Sequence, residues 1–366
     1  MPFDATDIVL SIVKIGIVLF MMLNITPIMA WVERRGSALI QDRPGPNRVG
    51  PFGLLQAIAD AAKFILKEDI IPAQAHKWLY TLAPAFGILP ALTTIAVVPW
   101  GRPFLLHERT VFGRTIFQGG RWFEPIVADV NVGILVVFAL ASLSVYGLAT
   151  AGWASSNKYS MFGGIRASAQ MISYELALTL AAVSALLAAG SLRLSDVVWR
   201  QTGYFVLFGG LKIPAWNVFS PAMWLSFIIF TVAGFAETNR LPFDFAEADA
   251  ELVAGYHTEY SSMKFALFFM GEYMAMGTMS ALITTLFLGG WDIPWWNEPP
   301  TFWGFLASAI FFLIKVAFMM FVFVWVRWTI PRLKYDILMK LGWKFFLPLA
   351  IVNILLVAAF IAKGWI

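Results

Sequence analysis

Long apolar stretches, separated by connections that hold nearly all the charge, set the pattern of the chain. Eight are placed near 8–32, 77–100, 126–150, 168–190, 220–237, 263–289, 302–328 and 345–363. Crossing about 30 Å of hydrocarbon takes roughly 20 apolar residues. Runs this uniform exclude the alternating strands of a barrel, and helices remain as the way to satisfy every backbone group in lipid. The expected fold class is all-α: a polytopic membrane protein with eight transmembrane helices, one integral membrane domain over 1–366. Gly147 and Gly152 in the third stretch and Ala177, Ala181, Ala182, Ser184 and Ala185 in the fourth predict a close-packed pair inside the bundle.

The first connection, 33–76, contains a different period. Gln56, Asp60, Lys63 and Lys67 fall on one helical stripe, and Leu54, Ile58, Ala61, Ala62 and Ile65 on the other. An amphipathic helix in the interface plane is expected over Gly53–Glu68. Periodicity leaves two readings open, a surface anchor or one wall of a cavity completed by a partner. Asp60 and Lys63 can pair across one turn, a contribution of about 0.2–0.5 kcal/mol when exposed. Ahead of this helix, Arg43-Pro44-Gly45-Pro46-Asn47-Arg48 dictates a fixed, non-helical path.

Composition agrees with a membrane setting: 60% hydrophobic and 13% charged, against about 25% charged in soluble domains. Met1–Asp7 carries Asp4 and Asp7 and no Lys or Arg, the reverse of a signal-peptide flank, so the first stretch is expected to remain as a span. Sixteen Lys and Arg lie in the odd-numbered connections and eight in the even ones and tails. The odd loops are therefore expected in the cytoplasm and both termini in the periplasm. The chain has no Cys, so it cannot ligate an iron–sulfur cluster by itself. His76, His107 and His257 are scattered through loops, which suits packing better than metal binding. No P-loop or dinucleotide fingerprint appears. Electrons, if the protein handles them, must come from a partner.

The connection over 238–262 is unusual. From Glu237 to Glu259 it holds Glu237, Asp244, Glu247, Asp249, Glu251 and Glu259, opposed nearby by Arg240 and Lys264, with Phe243, Phe245, Leu252, Tyr256 and Tyr260 interleaved. Such aromatics predict a folded, partly buried segment. Clustered carboxylates shielded from water raise one another's pKa and can exchange protons near neutral pH. Docking of a basic partner is an equal reading, and metal binding a weaker third. Within the apolar runs lie Lys14, Glu175, Glu272 and Lys315. A midplane charge costs at least about 2.5–3.5 kcal/mol and usually marks an ion path or a helix-joining pair. Lys14 is long enough to snorkel. Glu175 and Glu272, with Glu237 and Asp129, are candidates for a chain of carboxylates.

These motifs carry a resemblance. Gly53-Leu54-Leu55-Gln56 through Asp60, Lys63, Lys67 and Glu68, and Pro242-Phe243-Asp244 with Glu247 and Glu251, match two signatures of the H-subunit family of bacterial NADH:quinone oxidoreductase, respiratory complex I. Ala236-Glu237-Thr238-Asn239-Arg240 also agrees, and the resemblance covers essentially the whole chain. Asp249 stands where the family has Glu. The resemblance implies a proton-translocating enzyme subunit of the bacterial inner membrane without a redox centre or catalytic residue of its own. Glu33, Arg34, Arg43, Asp60 and Lys63 would line or support a quinone tunnel. Glu237, Asp244, Glu247, Asp249 and Glu251 would form an acidic funnel, continued by Glu175 and Glu272. NADH, FMN and iron–sulfur clusters would sit on other subunits. The implied partners are the hydrophilic quinone-site and terminal-cluster subunits, adjacent small and antiporter-like membrane subunits, and quinone. Three other readings compete: a component of a membrane-bound hydrogenase-type complex, a stand-alone ion transporter and a structural anchor. The absence of internal repeats speaks against the transporter.

Overall fold

Helix α1, Ala5–Ile40, has 36 residues, so at 1.5 Å per residue it runs about 54 Å. It continues two turns past its apolar run, and those turns carry Glu33, Arg34 and Arg35. The helix ends where Asp42 turns left-handed (φ 51°), with the Arg43 N–H donating to the Ala38 carbonyl at 2.9 Å and Pro44 following. The computed structural model describes residues 5–106, 109–111, 114–117, 120–206, 212–245 and 252–364. The Pro-rich path turns at Gly53 (φ 74°), where a Cβ would stand 2.2 Å from the Pro46 carbonyl oxygen. Only glycine fits there. It leads into the short amphipathic helix α2, Gln56–Leu66.

The bundle follows as α3 (Lys77–Thr94), α4 (Gly133–Ala154), α5 (Lys158–Ala189), the eight-residue α6 (Leu194–Gln201), α7 (Trp224–Glu237), α8 (Ser262–Phe287), α9 (Phe302–Thr329), α10 (Tyr335–Lys340) and α11 (Leu347–Ala362). Wide π-type turns, Leu341–Phe346, join the last two. They precede Pro348, whose missing N–H interrupts a regular ladder. Among the described residues, seven helical runs are long and apolar enough to cross a membrane: Asp7–Ile40, Lys77–Val97, Gly133–Ala154, Lys158–Ala189, Ser262–Phe287, Phe302–Thr329 and Tyr335–Ala362. The remaining expected stretch forms a shorter apolar helix, Pro221–Glu237. A tight turn at Pro221–Met223 opens it, and left-handed Asn239 (φ 49°) follows its end. The all-α polytopic class holds. Small antiparallel ribbons, Phe104–Leu106 with Arg121–Phe123 and Tyr204–Val206 with Lys212–Pro214, are added in the connections.

Helix α5 lies centrally, packed against α4, α7 and α11. Its Ala177, Ala181, Ala182 and Ala185 are fully buried, as their small size predicts. The α4–α5 approach is closer than any side chain allows: a Cβ on Gly152 would stand 2.5 Å from the Ser160 carbonyl oxygen and 3.1 Å from Gly164 Cα. Gly152→Val therefore drives two backbones apart. It should destabilise the fold by at least about 2 kcal/mol, read as a lowered melting temperature in detergent.

At the far end of α8, Lys315 of α9 donates to the carbonyls of Leu288, Gly290 and Asp292 at 2.7–2.9 Å and lies 3.9 Å from the Trp216 ring centroid. This intrahelical Lys caps a helix rather than pairing with a Glu. Beside it, burial pushes the Asp292 carboxyl up to about 6, helped by Glu298, while the Trp216 hydrogen bond, Lys315 and Arg102 pull it down. A folded pKa above the ordinary 3.8 means that the folded state holds the proton more tightly than the unfolded chain. Stability from this group is full below the unfolded value and falls as pH rises through about 6. Asp292→Asn should flatten the fall in melting temperature across that window.

Candidate functional site

The turn after α7 is the centre of the site. Left-handed Asn239 sharpens it, the Arg240 N–H donates to the Phe235 carbonyl at 3.1 Å, and the Phe243 N–H donates to the Arg240 carbonyl at 2.9 Å. Buried Gln170 of α5 fixes its place, donating to the Ala236 carbonyl at 2.8 Å and to Asn239 Oδ1 at 3.2 Å. Arg240 is thereby pushed into the bundle, where its side chain is 3% exposed.

Four further side chains gather around it. Arg240 Nη1 donates to Glu33 Oε2 at 3.1 Å, and Arg240 Nε lies 2.6 Å from Glu272 Oε1. The Tyr273 hydroxyl donates to Glu33 Oε2 at 2.6 Å, while Arg327 Nη1 sits 2.5 Å from Glu33 Oε1. The Arg240 guanidinium also stacks 4.2 Å above the Tyr273 ring. Two carboxylates and two guanidinium groups make a neutral set drawn from α1, the α7–α8 connection, α8 and α9. Neutrality and short contacts are what permit charges to be buried together. Because four segments meet there, a change of charge on one is felt by the others through a poorly screened medium.

Glu237, the last residue of α7, is buried, and neither carboxylate oxygen has a hydrogen-bond partner among the described residues. Two adjoining cavities of about 60 Å³ each meet at it. One reaches Glu175 and the other Glu272. At roughly 30 Å³ per water, each holds about two molecules. Glu175 accepts a hydrogen bond from the Ser142 hydroxyl of α4. Glu175, Glu237 and Glu272 thus line two adjoining cavities whose walls are otherwise mostly apolar, with Arg240 and Glu33 beyond Glu272. Asp129 is not brought in. It lines a separate cavity, paired with Arg193.

Nearer the first connection, Arg34 Nη1 lies 2.6 Å from Asp60 Oδ2, and Gln56 donates to Asp60 Oδ1 at 3.2 Å. Asp60 therefore joins α2 to α1 instead of pairing with Lys63, which is exposed, as is Arg43; neither makes an ion pair among the described residues. Helix α2 buries no residue, and Ile58, Ile65 and Leu66 are open. Its far end is tied to α8 by Lys264 on Asp69 at 2.9 Å and by the Ser262 hydroxyl on the Phe64 carbonyl at 2.9 Å. Asp244 pairs with Arg332 at 3.1 Å, holding the acidic connection to the α9–α10 link. Glu247, Asp249 and Glu251 lie outside the described residues.

Sequence reasoning picks out the carboxylates and passes over three of their partners, Arg240, Arg327 and Tyr273. A signal exists for Arg240, one of two cations opposing six acids. None exists for Arg327, whose position at the end of an apolar run reads as an interfacial anchor. Among the described residues, no group of three or more His, Asp or Glu is placed to hold a metal ion.

A family model described as NADH dehydrogenase matches residues 13–358. The chain is 47% identical over 363 residues to an NADH-quinone oxidoreductase H subunit of Geobacter metallireducens, covering 99% of this chain and 98% of the relative. It is 44% identical to an NADH-quinone oxidoreductase H subunit of Koribacter versatilis, over 98% of each. NADH-quinone oxidoreductase subunit 8 of Rhodothermus marinus is 44% identical over 93% of this chain and 94% of its own length.

Proposed function

The chain belongs to the family of NADH-quinone oxidoreductase H subunits, membrane subunits of complex I, and from that premise we propose that it helps to house the quinone and couples quinone reduction to proton movement. The single observation that carries this reading is the buried set Glu33–Arg240–Glu272, opening through Glu237 towards Glu175. The exposed apolar face of α2, held to α1 by Arg34 and Asp60, supplies a wall for a lipid-soluble headgroup, with Arg43 and Lys63 at its polar edge. A hydrophilic partner subunit would close the other side. Reduction of the quinone consumes protons and changes charge at this wall. The buried ion set answers by shifting partners or protons, and the disturbance passes from Glu272 along Glu237 and Glu175 towards antiporter-like subunits. Asp244, Glu247, Asp249 and Glu251 form the approach. NADH, FMN and the iron–sulfur clusters belong to other subunits in this proposal.

We place the chain in the bacterial inner membrane with eight crossings, the short Pro221–Glu237 helix included. The odd connections face the cytoplasm and both termini the periplasm. Asp60→Asn tests the tunnel wall. The Arg34–Asp60 pair is half exposed, so its loss should alter stability by less than about 1 kcal/mol. Assembly should be normal, while the apparent KM for quinone rises by about tenfold, the equivalent of about 1.4 kcal/mol. Unchanged quinone kinetics in a fully assembled Asp60→Asn enzyme would remove α2 from the quinone path. Photolabelling by a quinone probe should fall within residues 33–68 or 237–260.

A further inference from the structure

At the opposite end of the bundle from the acidic connection, a cavity of about 460 Å³ opens among the links that follow α3, α5 and α8 and the turn before α4. Nothing in the quinone reading uses it. Its two guanidinium groups are already committed. Arg102 Nη1 lies 2.9 Å from Glu298 Oε2, with its guanidinium 5.7 Å and 6.0 Å from the centroids of Trp199 and Trp291. Arg193 chelates Asp129 through Nε at 2.8 Å and through Nη2. That hydrogen bond, together with the charges of Asp129 and Asp196, holds the Arg193 pKa above its usual value against the effect of burial.

The carboxylates at the mouth are less engaged. Glu124 is exposed, its backbone carbonyl accepts from the Ile126 N–H, and its carboxylate makes no hydrogen bond or ion pair among the described residues, Lys14 acting on it only through its charge. Asp196 has only the Ser191 hydroxyl at 2.7 Å and a 3.9 Å approach of Arg193. Trp122 and Trp199 leave ring surface open beside them. An anion entering here would have to break a formed guanidinium–carboxylate pair. A cation meets free carboxylate oxygens and the negative faces of indoles. Exposed Trp beside helix ends is also the usual signature of the membrane–water boundary.

We propose that this cavity is a binding site for an organic ammonium group, with Glu124 and Asp196 as its counter-charges and Trp122 and Trp199 as its walls. The ammonium is carried either by an ethanolamine phospholipid or by a free amine. The two sources separate experimentally. The intact assembly, purified in mild detergent and washed with phosphatidylglycerol, would be titrated with phosphatidylethanolamine or with putrescine, and native mass spectrometry would count what stays bound to this chain. A Glu124→Gln/Asp196→Asn double variant is the control; both side chains are at the mouth and outside the buried packing. Saturable retention of phosphatidylethanolamine, reduced at least tenfold in the double variant, assigns the lipid. Retention of putrescine alone, reduced likewise, assigns a free amine. Retention equal in wild type and double variant, or no preference for either amine over phosphatidylglycerol, overturns the site.

Discussion

Arg240→Met is expected to destabilise the protein by about 3–5 kcal/mol, the cost of leaving buried charges without their partner. Two carboxylates lose a cation at once: Glu33, 3.1 Å away, and Glu272, 2.6 Å away. Glu33 keeps Arg327 and the Tyr273 hydroxyl, which limits its own share of the loss. A lowered melting temperature and failed assembly are the readouts. Arg240→Lys keeps the charge but not the planar fork that reaches both acids, and should recover assembly only in part. The combination Arg240→Met/Glu272→Gln separates pairing from packing. If the pair is the cause, the second change restores part of what the first removed, and the two effects are not additive. Strict additivity, or an unaltered melting temperature in Arg240→Met, would show that the cluster is not held by its charges.

Glu237→Gln is expected to act in the opposite sense on stability. Both of its carboxylate oxygens are buried without a hydrogen-bond partner among the described residues, so a neutral amide of the same shape gives up no contact and removes the cost of ionising a buried group. The variant should melt at the same temperature or higher. If Glu237 passes protons between the cavities that reach Glu175 and Glu272, coupled proton uptake should nevertheless fall by about a hundredfold, the usual size of a lost proton-transfer group. An assembled Glu237→Gln enzyme with normal proton uptake would take that residue out of the route. Activity lost together with stability would make its role structural.

Much of the candidate site was legible because it breaks the local rule. Glu175 and Glu272 stand out in apolar runs, and six acids crowd one connection, against the expense of burying charge in lipid. The pairing was not legible. Asp60 bonds to Arg34, 26 positions away, rather than to Lys63 one turn on, because the chain between α1 and α2 doubles back at Gly53. For Lys315, the sequence leaves an ion path and a helix-joining pair both open, and the side chain binds three carbonyls instead. Its length lets it reach the end of α8, a position that only packing of α9 on α8 creates.

Hydrophobic run length and the placement of charge are local properties, and they determined the all-helical membrane class, the amphipathic α2 and the close α4–α5 pair. Which acid meets which base depends on contacts 207 and 240 residues apart, such as Arg240 and Tyr273 on Glu33. No period in a one-dimensional pattern encodes them. They exist only once α1 has outrun its apolar segment and the α7 turn has folded inward, so the tertiary structure alone decided that these charges form one neutral, buried set.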